Sequence, residues 1–170
     1  MKKICSIMLG MLAVVLSACQ DTAEVRNAAG GYTYKTSGQV TVSKSDTVMD
    51  IHLAPETGTM VLASNLNGGE ATLSFNHSGG DSYDMVATID KDSIRLEPFD
   101  RLIDVEVAQD TLLTGGVIKR RRTFEIQVTG EGKIMSNGDV CLTLDYQGDA
   151  LNDNYHLEGQ NIHVHAKKNK

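Results

Sequence analysis

From Gly31 onward, apolar residues recur at every second position along most of the chain. This period of two places one face of a β-strand against a core and the other face towards water. Turn-forming residues separate the runs, as at Asn67-Gly68-Gly69 and Asn137-Gly138-Asp139. The pattern therefore predicts one all-β domain over residues 31–170. We expect an antiparallel meander that closes into a barrel, with a β-sandwich as the alternative.

The first eighteen residues have a different character. Two lysines, Lys2 and Lys3, precede the almost entirely apolar stretch 4–16, which ends in the small residues Ser17 and Ala18. The apolar stretch is shorter than the roughly 20 residues that a membrane-spanning helix needs. A basic head, a short apolar segment and small residues are the anatomy of a removable signal peptide. We therefore interpret residues 1–18 as a signal peptide.

The signal segment ends at Leu16-Ser17-Ala18-Cys19. This sequence resembles the lipobox of bacterial lipoproteins, in which the cysteine is acylated and the chain is cleaved just before it. The resemblance implies that Cys19 carries lipid such as palmitate and tethers the protein to a membrane, because two or more acyl chains hold a protein there stably. Gln20 and Asp21 follow the cysteine and Glu24 comes shortly after, so this segment is only mildly acidic. We expect an outer-membrane lipoprotein, and we leave open whether it faces the periplasm or the cell surface.

Cleavage before Cys19 removes two of the 16 basic residues and none of the 22 acidic ones, which leaves 152 residues with a net charge of −8. This charge argues against a nucleic-acid partner. The length suits a single domain. Cys5 leaves with the signal peptide and Cys19 is acylated, so Cys141 has no partner for an intrachain disulfide. Its mid-strand position favours an inert packed residue over a reactive thiol.

Residues 19–30 connect the anchor to the β domain. They are small and polar, and they show no sustained periodicity. We interpret them as a lipidated flexible tether, with room for a short helical start.

Two parts of the β domain carry a family resemblance. They are the start Gly31-Tyr32-Thr33-Tyr34 and the segment from Phe124 to Ile134, followed by Val140 to Tyr146. These segments resemble the small lipocalin-like, or calycin-like, lipoproteins of the Bacteroidetes, which are antiparallel β proteins mostly without an established activity. True lipocalins have a Gly-x-Trp signature on the first strand, whereas this chain contains no Trp. Transport of a hydrophobic ligand is therefore not implied.

Four triplets are similar to the O-glycosylation sequon of exported Bacteroidetes proteins, in which Asp precedes Ser or Thr. The hydroxyl residues concerned are Thr22, Thr47, Ser93 and Thr111. Asp and Ser or Thr are also turn formers, so turn chemistry explains the triplets equally well. A glycan at these positions would mark exposed turns.

Motifs for catalysis are absent from the sequence: we find neither a zincin motif, a phosphate-binding loop nor a nucleophile elbow. His163 and His165 lie on one face of the last predicted strand, where they are weak candidates for a metal site. A solvent-facing terminal strand explains the pair as well. We therefore predict no enzyme activity and no cofactor.

The run Lys119, Arg120, Arg121 and Arg122 stands out in an acidic chain. It could bind a phosphate, a sulfated glycan or the carboxylates of a partner. Basic residues at the start of a strand also protect sheet edges. Two functions remain: an interaction module for an envelope protein or glycan, which we favour, and a carrier of a small apolar ligand inside a barrel. The chain has only 8 aromatic residues with which to line an apolar pocket.

Overall fold

The structure, a computed structural model, describes residues 23–65, 69–111 and 117–170. One short helix precedes eleven strands in these segments. The helix α1 is Ala23–Ala28. The strands are β1 Gly30–Ser37, β2 Gln39–Lys44, β3 Thr47–His52, β4 Thr57–Ser64, β5 Glu70–His77, β6 Ser82–Asp90, β7 Ser93–Leu96, β8 Phe99–Thr111, β9 Val117–Ile134, β10 Val140–Ala150 and β11 His156–Lys168.

Eight of these strands form a closed antiparallel barrel. The barrel order is β1-β4-β5-β6-β7-β9-β10-β11, and β11 pairs back with β1. Closure joins Tyr32 to Lys168 and Ser37 to His163. The predicted all-β barrel is thus confirmed, and eight strands closed in this way match the lipocalin-like fold implied by the sequence resemblance. The chain departs from a strict meander because β2, β3 and β8 leave the barrel path.

The three remaining strands, together with parts of β9, β10 and β11, extend the same continuous sheet beyond the barrel, and we call this extension the flanking sheet. β2 pairs with β11 at residues 156–158 and with β3 on its other side. β8 pairs with β9 from Phe99↔Val128 to Thr111↔Val117. Strands β9, β10 and β11 are long enough to pass from the barrel into this sheet between β8 and β2. The flanking sheet therefore begins at β8 and ends at β3.

Alternation along the strands produces a single core. The largest fully buried side chains include Tyr32, Tyr34, Met60, Leu73, Phe75, Met85, Phe124, Ile126 and Leu142. They come from the positions that the two-residue period predicts to face inward. An eight-stranded barrel is just wide enough for its own side chains to fill the interior, and that is how these strands use the space.

The N-terminal segment differs from the predicted tether. Residues 23–28 form α1, and Val25 and Ala28 on it are 0% and 1% exposed within the same core. The i, i+3 spacing of these two apolar residues places both on one face of the helix. Within the described residues, the packed domain therefore begins at the helix rather than at Gly31.

Two backbone features let the long strands bend. β11 has one extra residue opposite Leu144–Tyr146, so the two predicted runs Tyr155/Leu157 and Ile162/Val164 form one bulged strand. At Gly148 in β10, a Cβ atom would lie 2.0 Å from the Glu125 carbonyl oxygen. Only glycine allows β9 and β10 to approach so closely there.

Candidate functional site

A cleft of about 490 Å³ opens beside one end of the barrel. It is bounded by the end of β1, by the β3–β4 connection, by the β5–β6 turn and by part of β8. Its lining includes Thr36, Ser37, Leu53, Ala54, Pro55, Glu56, His77, Asp81, Arg101, Leu102, Ile103, Asp104 and Tyr146. A volume in this range suits a small molecule or a short stretch of chain.

Strand β8 follows one side of the cleft with its backbone. Leu102, Ile103 and Asp104 are consecutive, and all three line the cleft. Consecutive side chains of a strand point to opposite faces, so a cleft lined by all three reaches around the edge of the strand; Thr123 on β9, opposite Asp104, lines it as well. The opposite edge of β8 is occupied by β9. The edge facing the cleft is therefore the unpaired one.

A mostly buried ion pair lies in the cleft. Arg101 Nη2 is 2.9 Å from Glu56 Oε1, and Arg101 Nη1 is 3.4 Å from Glu56 Oε2. The side chains of Arg101 and Glu56 are 13% and 24% exposed. This two-point contact ties β8 to the β3–β4 connection, since a bidentate arginine fixes orientation as well as distance. The pair thus holds two walls of the cleft together.

Stacked aromatic rings lie next to this ion pair. The Arg101 guanidinium sits 4.1 Å from the centre of the Tyr83 ring. Tyr83 stacks on Phe75 at 5.0 Å and on Phe99 at 6.1 Å, while Tyr34 meets Phe75 edge to face at 4.9 Å. Contacts of this kind are favourable beyond the area that they bury. The charged pair therefore rests on a rigid apolar base that continues into the barrel.

Three of the five tyrosines converge here, and all three hydroxyls stay protonated at neutral pH. Burial raises the pKa of Tyr34 and of Tyr83, and it raises the pKa of Tyr146 to about 12. Burial alone would lower the pKa of Arg101, but Tyr83 and Glu56 outweigh it and the pKa lies above its usual value. The cluster is thus a set of fixed hydrogen-bonding groups around a permanent cation.

The buried hydroxyl of Tyr34 has the Tyr83 side chain beside it but makes no hydrogen bond of standard geometry among the described residues. An unsatisfied buried hydroxyl costs roughly 1–3 kcal/mol. Tyr83 also gives one hydroxyl bond to Glu56 Oε2, at 3.4 Å. Spare hydrogen-bonding capacity therefore remains beside the cleft.

The predicted basic patch is divided between two faces of the flanking sheet. Arg120 and Arg122 lie opposite the buried residues Val107 and Val105, so they share the inward face. Lys119 and Arg121 point outward, and Arg121 lies opposite Glu106. Lys119, Arg120 and Arg121 are exposed, whereas Arg122 is half-buried. Alternation along β9 thus prevents the four cations from forming one patch.

Arg122 is already engaged inside the protein. Its Nε lies 2.7 Å from Asp153 Oδ2, and Lys44 Nζ lies 3.5 Å from the other oxygen of the same carboxylate. Lys44 also lies over the Tyr155 ring, 4.5 Å from its centre. This contact set joins β2, β9 and the β10–β11 connection, which indicates a structural role for Arg122.

His163 and His165 lie on the exposed face of β11, as predicted. His165 Nε2 is 3.5 Å from Asp139 Oδ2, and the same carboxylate accepts a bond from Asn137. Among the described residues, no group of three or more His, Cys, Asp or Glu is placed to hold a metal ion. The pair therefore has no further ligand assembled around it in that part of the chain.

Cys141 is half-buried on the outer wall of the barrel, where it lines an open cleft of about 840 Å³. Its neighbours across the strands are Lys133 and His165. The expectation of a packed residue is thus corrected in part. Consecutive residues of a strand face opposite sides, so Cys141 faces outward between the buried residues Val140 and Leu142.

Two of the glycosylation candidates lie at exposed hairpin turns. Thr47 begins β3 and Ser93 begins β7, and both are exposed. Thr111 ends β8, and its side chain lies outside the described part of the structure, as do Thr22, Cys19 and the signal segment 1–18.

Sequence reasoning missed Arg101 and Glu56, which line the cleft, and Tyr83, whose ring lies against the Arg101 guanidinium. The alternation of side chains along the strand could have indicated Arg101. This residue shares the inward face of β8 with Phe99, Ile103, Val105 and Val107. A charged residue in such a series must find a buried partner. Which residue that would be depends on the β3–β4 connection, whose position no local pattern gives.

Comparison of the chain with protein-family models, with curated proteins and with solved structures found no match. Within the described segments, no helix has the length and apolar character needed to cross a membrane.

Proposed function

We propose that this protein is a membrane-tethered envelope lipoprotein, similar to the Bacteroidetes lipocalin-like lipoproteins, which acts as a non-catalytic interaction module. Its partner is another envelope protein or a glycan, and the cleft beside β8 is the contact site. The observation that carries the proposal is the contrast between a filled barrel interior and an open cleft lined by mixed polar and apolar groups.

The filled interior favours this function over ligand transport. A carrier needs an enclosed apolar cavity of roughly 300 Å³ or more. Large side chains occupy the inward positions instead, including Tyr32, Tyr34, Met60, Phe75 and Met85, each no more than 2% exposed. The cleft, in contrast, is lined by Arg101, by the carboxylates of Glu56, Asp81 and Asp104, and by exposed Leu102.

The direction of β1 supports the same proposal. The chain enters the barrel from α1 at Gly30, whereas Thr36 and Ser37 at the other end of β1 line the cleft. The eight residues of β1 span about 26 Å at the usual strand rise. The described chain therefore begins near one end of the barrel, and the cleft lies near the other. This arrangement leaves the cleft accessible on a tethered protein.

The proposal is tested by site-specific photo-crosslinking in cells of the protein's own host. A photoreactive residue replaces Leu102 at the cleft, and a matched one replaces Val86 on the barrel wall; these apolar residues are 56% and 36% exposed. We expect a discrete covalent adduct with an envelope protein or glycan from position 102 and none from position 86. Equal adducts from both positions, or none from either, would contradict the proposal.

Native mass spectrometry of residues 20–170, purified from the same host without detergent, tests the competing function. We expect the polypeptide mass, raised only by any covalent sugar. A small molecule that survives native spraying and is lost on denaturation would overturn the proposal in favour of a carrier.

A further inference from the structure

Two strands in the described part of the chain pair with another strand along one edge only. The pairing of β1 with β11 closes the barrel, so these two strands are β3 and β8 at the ends of the flanking sheet; β9 is paired on both sides only from Phe124 onward. Each second residue of such a strand points its N–H and C=O groups away from the neighbouring strand. An unpaired edge of this kind is a template for another strand.

Strand β8 is the better template of the two. It has 13 residues, against 6 in β3, and the cleft follows its unpaired edge at residues 102–104. Added strands gain main-chain hydrogen bonds in proportion to the length that they pair. The cleft supplies the space that an incoming strand needs beside that edge.

The outward side chains of β8 show what chemistry would fit. They alternate along the strand as Asp100, Leu102, Asp104 and Glu106, and all four are exposed. Asp81 and Glu56 add further carboxylates along the cleft; Arg101 is paired with Glu56, and Arg121 lies 3.9 Å from Asp104 with both side chains exposed. Cross-strand neighbours of opposite charge stabilise a sheet, and like charges destabilise it. An incoming strand must therefore carry cations opposite the carboxylates and an apolar residue near Leu102.

We propose that the unpaired edge of β8 binds an extended, lysine- or arginine-rich segment of a partner protein by β-strand addition. This inference rests on the proposed function and specifies its partner. Main-chain hydrogen bonds to β8 provide affinity, while the carboxylates of Asp100, Asp104 and Glu106 select a basic segment. The same carboxylates repel the acidic β8 edge of a second copy of this chain, so self-association through β8 is disfavoured.

The test uses the soluble chain, residues 20–170, and a fluorescent nine-residue peptide of alternating lysine and valine. Two matched peptides serve as controls. One has glutamate in place of lysine. The other has N-methyl groups on every second residue, at the amides whose N–H groups would point towards β8. The glutamate peptide reverses the side-chain charge, and the methylated peptide removes main-chain donors and places methyl groups against the strand edge, so it blocks strand addition while keeping the charge. Binding is measured by fluorescence anisotropy, and protection of the β8 amides by hydrogen exchange.

We expect the lysine peptide to bind and to protect amides of residues 100–106, and the methylated peptide to bind about a hundredfold more weakly because several main-chain hydrogen bonds are lost. The double variant Asp100→Lys/Glu106→Lys should weaken binding about tenfold or more. The matched double variant Asp84→Lys/Asp90→Lys changes two exposed carboxylates on the barrel wall instead, and should bind as the unaltered chain does.

Equal binding of the methylated and unmethylated lysine peptides would overturn strand addition, as would binding without protection at β8 or no binding at all. None of these results determines the outcome of photo-crosslinking at position 102, so the two proposals can fail separately. A discrete crosslink together with peptide failure would therefore retain the interaction module and reject the basic strand as its partner.

Discussion

The barrel and the flanking sheet share three strands, yet they treat their edges in opposite ways. Every barrel strand has a neighbour on both sides, whereas the flanking sheet ends in β3 and β8 without a further partner in the described residues. The barrel interior is apolar and filled, but the junction with β8 holds a mostly buried ion pair. This difference indicates that the apolar barrel provides the stability of the fold, whereas the flanking sheet presents charged groups and unpaired strand edges.

The largest effect should follow from a cavity in the barrel. Phe75 is 0% exposed and contacts the rings of Tyr34 and Tyr83. We expect Phe75→Ala to lower the free energy of unfolding by about 4 kcal/mol. Leu102→Ala, at a residue that is 56% exposed, should change it by less than about 0.5 kcal/mol. Urea denaturation measures both, and similar losses would contradict the contrast between the two regions.

The next effect concerns Gly148, where two shared strands leave no room for a side chain. Gly148→Ala would bring a Cβ atom within 2.0 Å of the Glu125 carbonyl oxygen, so the backbone must shift. We expect a loss of about 2 to 3 kcal/mol. Gly31→Ala is the control, since the nearest atom to its Cβ would be the end of the Asn169 side chain, 3.3 Å away. A thermal melt that ranks the two variants equally would refute this role of Gly148.

The ion pair between β8 and the β3–β4 connection should contribute less than the core. Arg101→Met removes the only cation that Glu56 contacts in the described structure, and we expect a loss of about 2 kcal/mol. The double variant Arg101→Met/Glu56→Met should recover most of that loss, because no uncompensated charge stays behind. Equal stability of the single and double variants, measured by urea denaturation, would show that Arg101 acts through packing alone.

The smallest effect is a dependence of stability on pH. The pKa of His156 is raised, first by its hydrogen bond to Asp149 at 2.9 Å and also by Glu158. A folded-state pKa above the usual histidine value of 6.5 means that protonated His156 stabilises the fold below that pH. The contribution disappears as the pH rises through the folded-state pKa.

We expect this contribution to be under about 1 kcal/mol, because the side chain is 37% exposed. His156→Gln should flatten the change in unfolding free energy between pH 5 and 8, while His163→Gln serves as the exposed control. An unchanged pH profile in His156→Gln would exclude the pair with Asp149 as its source.

The strands were predictable because alternation states which face of each strand is buried. The runs at Ala71/Leu73/Phe75 and Val140/Leu142/Leu144 are inward-facing as predicted. Alternation does not state which strand lies next to which, so the pairing of β1 with β4 past the β2–β3 hairpin was not predictable. The same alternation also predicts that Arg122 faces inward with Phe124. This explains why the basic run is divided between two faces.

Barrel closure has a consequence for the order of folding events. The first barrel strand pairs with the last, so the barrel cannot close until residues near 168 have reached residues near 32. Contacts so distant in sequence slow folding, and they keep strand edges open in the meantime. A chain emerging from its N-terminal end can build β4 to β7 by local hairpins, yet it stays an open sheet until β11 arrives. Loss of the last six residues of β11 would leave two permanent edges where the finished barrel has none.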